Sequence, residues 1–158
     1  MGKVILRSEL SELCNQLKRQ KKITVFTNGC FDILHRGHVE YLSKAKQLGD
    51  VLFVGVNSDS SMKRIKGEKR PIIPEDDRST ILAHLNPVDY VVLFEEDTPQ
   101  NLIAEILPNV LVKGADWNVE NIVGKNVVEA NGGRVATIEL VANRSTTNII
   151  ERVLERYR

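Results

Sequence analysis

The sequence predicts an α/β fold: a Rossmann-like, doubly wound, five-stranded parallel sheet with helices on both faces, forming a single domain. Three observations predict it. Short apolar runs alternate with helical patterns along the whole 158-residue chain, the order that builds βαβ units. The run Val51-Leu52-Phe53-Val54-Gly55-Val56 is apolar without a break, as expected of a strand covered on both faces. The unusual polar clusters all fall just after a strand, at the edge where such sheets bind ligands. A chain of this length can bury a core without disulfides or metal.

Taken in order, Ser8 reads as an N-cap with Glu9 and Glu12 in the first turn, and Leu10, Leu13, Cys14 and Leu17 form the stripe of an N-terminal helix within residues 1–22. The core, residues 23–158, opens with the strand Ile23-Thr24-Val25-Phe26. A helix follows through Val39, Leu42, Ala45 and Leu48, closed by Gly49, and leads to the second strand, Val51 to Val56. Asn57 to Ser61 reads as a polar turn, and the basic segment from Met62 to Pro71 as a mobile loop. Pro74, with Glu75, Asp76 and Asp77, starts a helix through Arg78, Ile81, Leu82 and Leu85 that Asn86-Pro87 stops. Tyr90 to Phe94 is the third strand, and Pro99 after Thr98 opens a helix to about Leu107. Val110 to Val112 is the fourth strand, Asn126 to Asn131 a short helix ended by Gly132-Gly133, and Arg134 to Ile138 the fifth strand. Ser145-Thr146-Thr147 opens the last helix, with Ile149, Ile150, Val153 and Leu154 expected to face inward.

Charge and cysteine usage exclude several classes. With 22 Lys+Arg against 21 Asp+Glu the net charge is +1, so nothing global argues for nucleic acid or an anionic membrane, and anion binding has to be local. Cys14 and Cys30 match neither a disulfide framework nor a zinc spacing. No window reaches membrane-spanning length, and no apolar segment with a cleavage site follows Met1. A reduced, cytoplasmic protein is expected.

The chemistry gathers in Thr27-Asn28-Gly29-Cys30-Phe31-Asp32-Ile33-Leu34-His35-Arg36-Gly37-His38, where a buried strand becomes a helix. His35 and His38, three apart, fall on one side of a helical turn. The free amides of a helix start favour an anion, and two histidine donors beside them make a phosphate site. A lone histidine here would read as a cap or a satisfied surface group; two flanking Gly37 on such a turn favour function. No third ligand stands with them, so no metal site is assigned. The dinucleotide fingerprint and the Walker lysine loop are both absent after this strand.

Gly29-Cys30-Phe31-Asp32 followed by His35-Arg36-Gly37-His38 resembles the His-x-Gly-His motif of the cytidylyltransferase-like nucleotidyltransferase superfamily, and Arg144-Ser145-Thr146-Thr147 resembles its second motif. Within it, Asn57-Ser58-Asp59, Lys63 to Gly67, Arg70-Pro71, Phe94 to Pro99, Leu111 to Gly114 and Asp116-Trp117 are most similar to the adenylyltransferase part of ADP-heptose synthases. The bifunctional form also carries a sugar kinase, for which this chain has no room, so the resemblance is to the stand-alone form. It implies transfer of AMP from ATP to D-glycero-D-manno-heptose 1-phosphate for lipopolysaccharide inner-core synthesis. Mg²⁺ would come with the triphosphate, and a homodimer is expected. The alternative is a glycerol-3-phosphate, or other phospho-alcohol, cytidylyltransferase using CTP. Arg144 in place of the usual apolar residue, and Leu140 where such cytidylyltransferases place an arginine, both weaken CTP.

The resemblance also implies roles. His35, His38 and Lys66 are the expected catalytic residues. Nucleotide is expected on the Cys30 and Phe31 amides, both histidines, Lys66, Lys113, Asp116, Arg144, Ser145, Thr146 and Thr147. Asp32 and Arg64 are the expected acceptor contacts. Plainer readings stand beside these. The Ser-Thr-Thr run also suits N-capping, the 63–70 charges and Arg144 also suit a solvated surface, and Trp117 either stacks on a base or covers the core. Asp32 either orients the acceptor or braces its loop.

Overall fold

The computed structural model describes residues 1–157. Its strands are β1 (Lys3–Val4), β2 (Thr24–Gly29), β3 (Val51–Asn57), β4 (Tyr90–Phe94), β5 (Val110–Gly114) and β6 (Arg134–Ile138). All pair in parallel in the order β1-β4-β3-β2-β5-β6. The helices are α1 (Leu10–Arg19), α2 (Arg36–Lys46), α3 (Asp59–Lys66), α4 (Glu75–Ala83), α5 (Gln100–Ile106), α6 (Lys125–Ala130) and α7 (Thr146–Tyr157).

Strand side chains alternate between two cores because successive residues point to opposite faces. On one face Leu42 and Ala45 of α2 and Leu82 and Ala83 of α4 pack on Val25, Leu52, Val54, Val91 and Val112. On the other, Leu10 and Leu17 of α1 and Leu102, Ile103 and Ile106 of α5 pack on Phe26, Phe53, Val92, Phe94 and Leu111. Each fully buried side chain of this size contributes about 2 kcal/mol. The double winding therefore follows from strands apolar on both sides.

The sheet has six strands rather than the five expected. The extra one, β1, is two residues long and lies on the edge, with Lys3 and Val4 opposite Tyr90 and Val91 of β4. No periodicity shows in two residues. The pairing is made by β4 and by the Gly2 amide, which donates to the Ala83 carbonyl at 2.9 Å. Just after it, a 3₁₀ turn at Arg7–Glu9 precedes α1, and the Glu9 carboxylate accepts from the Leu6 amide at 2.6 Å. Ser8 thus lies inside the turn instead of capping the helix.

Three further expectations change. Residues 59–66, read as part of a polar turn and a loop, form α3. Ser58 caps it by accepting from the Ser61 amide at 3.1 Å, and Met62 is buried beneath it. A serine-rich, basic run with one inward apolar residue has no helical period to detect. The loop proper begins at Gly67, whose φ of +95° favours glycine. Pro74 and Pro99 stand at the N-caps of α4 and α5, one residue before the helix. Finally, no residue of α7 is fully buried, and Val153 and Leu154 are 50% and 45% exposed. Amphipathic spacing reveals an apolar stripe but not what covers it.

Candidate active site

β2 lies at the centre of the sheet, and the chain leaving it makes the floor of the site. Phe31 has φ +48°, a left-handed conformation that costs a bulky residue about 1 kcal/mol or more. Its ring offsets this by burial and by an edge-on contact with His38, centroids 5.3 Å apart. His35 and His38 stack with centroids 3.8 Å apart and planes 19° from parallel. Gly37 makes room for the stack, since a Cβ there would lie 3.0 Å from the His35 Nδ1. Burial, and then the neighbouring His35, push the His38 imidazole down to about 4. His35 is lowered too, by burial and then by Arg144. Both rings are therefore neutral near pH 7, and both Nδ1 atoms are buried without a hydrogen-bond partner. Buried polar atoms without a partner at the edge of a cavity call for one, and a bound ligand can supply it.

Two buried ions that the sequence did not single out for the site, or left ambiguous, hold this floor. The Arg78 side chain is 0% exposed. Its guanidinium donates to the carbonyls of Cys30 at 2.5 Å, Asn57 at 2.9 Å and Ile73 at 2.9 Å, and to the Asp59 carboxylate at 2.7 Å. One side chain thus ties the ends of β2 and β3 to the loop before α4. The available signal was its register, since Arg78 precedes the buried Leu82 by one turn. Asp32, also 0% exposed, accepts from Arg70 at 2.5 Å and from the amides of Ile72 and Ile73 at 2.9 and 2.8 Å. Of the two readings the sequence left open, this geometry is that of a brace.

A cavity of about 550 Å³ opens above the floor at the carboxyl edge of the sheet. It brings together Cys30, Phe31, Asp32, His35, His38, Lys66, Lys113, Asp116, Arg144, Ser145, Thr146 and Thr147. Arg64 is the exception among the expected residues. It lies outside the lining and donates to the Asp97 carboxylate at 2.8 Å and the Glu95 carbonyl at 2.5 Å. Arg70, Asp97 and Tyr41 line the cavity without having been assigned to it.

At the β5 end Lys113 is buried and donates to the Asn28 side chain, and its Nζ lies 5.8 Å from the Trp117 ring centroid. Burial pushes this ammonium down to about 8. Trp117 is 51% exposed and faces the cavity, free to stack on a planar group. Burial raises the Cys30 thiol, which leaves its backbone as the useful part. At the start of α7 the Ser145 hydroxyl accepts from the Asn148 amide at 3.1 Å and Thr146 donates to the Ile33 carbonyl at 3.4 Å. Capping and lining of the cavity thus coincide there.

A parallel sheet whose central strand feeds a His-x-Gly-His turn, facing a helix start across one cavity, defines an α/β protein with its site at the carboxyl edge of the sheet. The model of the Cytidylyltransferase-like family matches residues 26–152, and the chain belongs to that family. It is 56% identical over 156 residues to the Bifunctional protein HldE of Syntrophotalea carbinolica, covering 99% of this chain and 32% of that protein. It is 60% identical over 139 residues to the protein of the same name from Geobacter metallireducens, covering 88% of this chain and 28% of that one. The chain spans about a third of the length of these curated relatives. Among solved structures it resembles the lipopolysaccharide core biosynthesis protein of Thermoplasma volcanium, at TM-score 0.62 and 32% identity, over 76% of this chain and 97% of that one. Pantoate-beta-alanine ligase of Francisella tularensis shares the fold at TM-score 0.63 and 14% identity, over 98% of this chain and 80% of that one.

Proposed function

We propose that the chain is a sugar-phosphate adenylyltransferase that moves AMP from ATP to D-glycero-D-manno-heptose 1-phosphate, giving ADP-heptose and pyrophosphate for the lipopolysaccharide inner core. One observation carries the reading. A single cavity is lined by two neutral stacked histidines, by Lys66, Lys113 and Arg144, and by the opening of α7, which is a cradle for several phosphates at once. The name of the Thermoplasma protein, which refers to lipopolysaccharide core biosynthesis, supports the biosynthetic setting. Leu140 in the lining supports ATP over CTP.

In this reading the phosphate of the sugar attacks the α-phosphorus in line and pyrophosphate leaves. Such a displacement needs positioning and charge neutralisation rather than covalent help. His35 and His38 give ring N–H donors to the reacting and departing phosphates, and Lys66 neutralises charge between the two substrates. The Cys30 and Phe31 amides, Arg144, and Ser145, Thr146 and Thr147 hold the triphosphate. Lys113 and Asp116 hold the nucleoside side, and Asp32 with Arg70 keeps the loop in place. Among the described residues no three His, Cys, Asp or Glu side chains gather to hold a metal; Mg²⁺ would arrive with the triphosphate and would supply charge neutralisation there.

The proposal takes residues 1–158 as one nucleotidyltransferase domain, placed in the cytoplasm. Among the described residues no helix is long and apolar enough to cross a membrane. It includes a homodimer, which the uncovered stripe of α7 supports and sedimentation velocity tests. The deciding experiment is pyrophosphate release with Mg²⁺, offering ATP or CTP against heptose 1-phosphate or glycerol 3-phosphate. Release confined to ATP with heptose 1-phosphate is expected. Release with CTP and glycerol 3-phosphate would replace the substrates, and silence in all four pairings would remove the assignment.

A further inference from the structure

The cavity has two wings, one on each side of β2. The end of β5 carries Lys113, Asp116 and Trp117, with the exposed aromatic face suited to a base. The ends of β3 and β4 bring Asn57, Lys66, Arg70, Asp97 and Thr98 to the lining. With the triphosphate over the histidines and the nucleoside toward Trp117, the second wing is left to the acceptor. There the charges are not uniform. Lys66 and Arg70 suit a phosphate, whereas the Asp97 carboxylate, 60% exposed, repels one. A carboxylate exposed beside an anion site is suited to accept hydrogen bonds from neutral donors, and on a phosphorylated acceptor those are hydroxyls.

The segment that carries Asp97 is fixed residue by residue from two separate elements, α3 and the 3₁₀ turn at Arg7–Glu9. The Glu95 carbonyl accepts from Arg64 at 2.5 Å. The Glu96 carbonyl accepts from Ser61 Oγ at 3.0 Å, and its carboxylate accepts from Arg7 at 2.8 Å. Arg7 in turn is held by Glu105 of α5 at 2.7 Å. One oxygen of Asp97 accepts from Arg64 Nε at 2.8 Å, which orients the carboxylate and leaves the other oxygen free. Preorganisation of this kind lets a side chain discriminate, because little ordering remains to be done on binding.

We propose that Asp97 is the hydroxyl-reading residue of the acceptor subsite, and that Arg64 is a positioning residue acting through it. The inference rests on the functional reading above and adds to it the group that distinguishes a polyol phosphate from a smaller phospho-alcohol. A site built to bond a hydroxyl rejects the analogue that lacks it, since its own polar group is then left unpaired.

The test compares heptose 1-phosphate with its single-deoxy analogues at saturating ATP and Mg²⁺, in the wild type, Asp97→Asn, Arg64→Ala and the double variant. ATP affinity and melting temperature are measured alongside. One deoxy analogue should lose about 10- to 100-fold in kcat/KM with the wild type, the scale of a charged hydrogen bond. In Asp97→Asn that analogue and the parent should come within about threefold, mainly through a raised acceptor KM, with ATP affinity kept. Arg64→Ala should show a smaller change of the same kind, and the double variant should match Asp97→Asn, as expected of residues acting in series. If Asp97→Asn alters folding, Asp97→Ser provides the same comparison. No turnover of heptose 1-phosphate by the wild type overturns the functional reading and this assignment with it. Wild-type turnover with an unchanged ranking of analogues in the Asp97 variants overturns the assignment alone. Additive effects of the two substitutions overturn the positioning role of Arg64.

Discussion

The two walls of the cavity are built on opposite plans. The loop after β2 is held by buried ions: Arg78 reaches three carbonyls and Asp59, and Asp32 binds Arg70 and two amides. The facing wall is the start of α7, which touches that loop through Thr146 and Ile33 at 3.4 Å and buries none of its residues fully. Reacting phosphates would thus meet a rigid floor and a lightly attached wall. In the proposed reaction the floor would set the geometry, while the wall would add charge complementarity at small structural cost. A lightly held element is also the one that would open to release pyrophosphate in that reaction.

The contrast is sharpest in what each wall tolerates. Arg78→Ala leaves one buried and two part-buried carbonyls without this donor and Asp59 without its partner, so it should cost about 3–5 kcal/mol, read as a fall of about 10 °C in melting temperature. Arg78→Lys should recover only part of it, since an ammonium lacks the planar fork. Next come His38→Ala and His35→Ala, each expected to lower turnover by ~10²- to 10³-fold with an almost unchanged melting temperature. A histidine variant with near-normal pyrophosphate release would break the catalytic reading of the floor.

A third effect comes from protonation. His38 is lowered from 6.5 to about 4 in the folded chain by burial and by His35, so between those values the unfolded chain binds the proton and the folded chain does not. Stability is therefore complete above about pH 6.5 and declines as pH falls toward 4, by about 2 kcal/mol at pH 5 and about 3 kcal/mol at pH 4. Urea unfolding at pH 7 and pH 5 measures it, and His38→Asn should flatten the difference. Smallest is the wall. Ser145→Ala removes one cap and should cost about 1 kcal/mol, while Val153→Ser on the exposed stripe should stay within about 0.5 kcal/mol in the monomer. A large loss at Val153 would mean that the stripe is covered.

How much was legible follows from the distance over which each feature is decided. His35, Gly37 and His38 lie within four consecutive residues, so their spacing alone placed two rings at one helix start. Arg78 bonds carbonyls 48, 21 and 5 residues away, and no local pattern reports that. Arg64 shows the same limit from the other side. The sequence marked a cation beside the site, but only the packed loop reveals that its guanidinium ends on Asp97, 33 residues on.

The sequence by itself determined the parallel α/β layering, the five longer strands, the two motifs and the edge of the sheet where they meet. Each of these depends on periodicity or chemistry within one turn or strand, and the apolar runs allow only a sheet covered on both faces. Tertiary structure alone decided the sixth strand, the helix at 59–66, the buried clamps at Arg78 and Asp32, and the exposure of α7. Those depend on which distant groups become partners once water is excluded, and a buried charge or a two-residue strand is stable only where the rest of the fold supplies its hydrogen bonds.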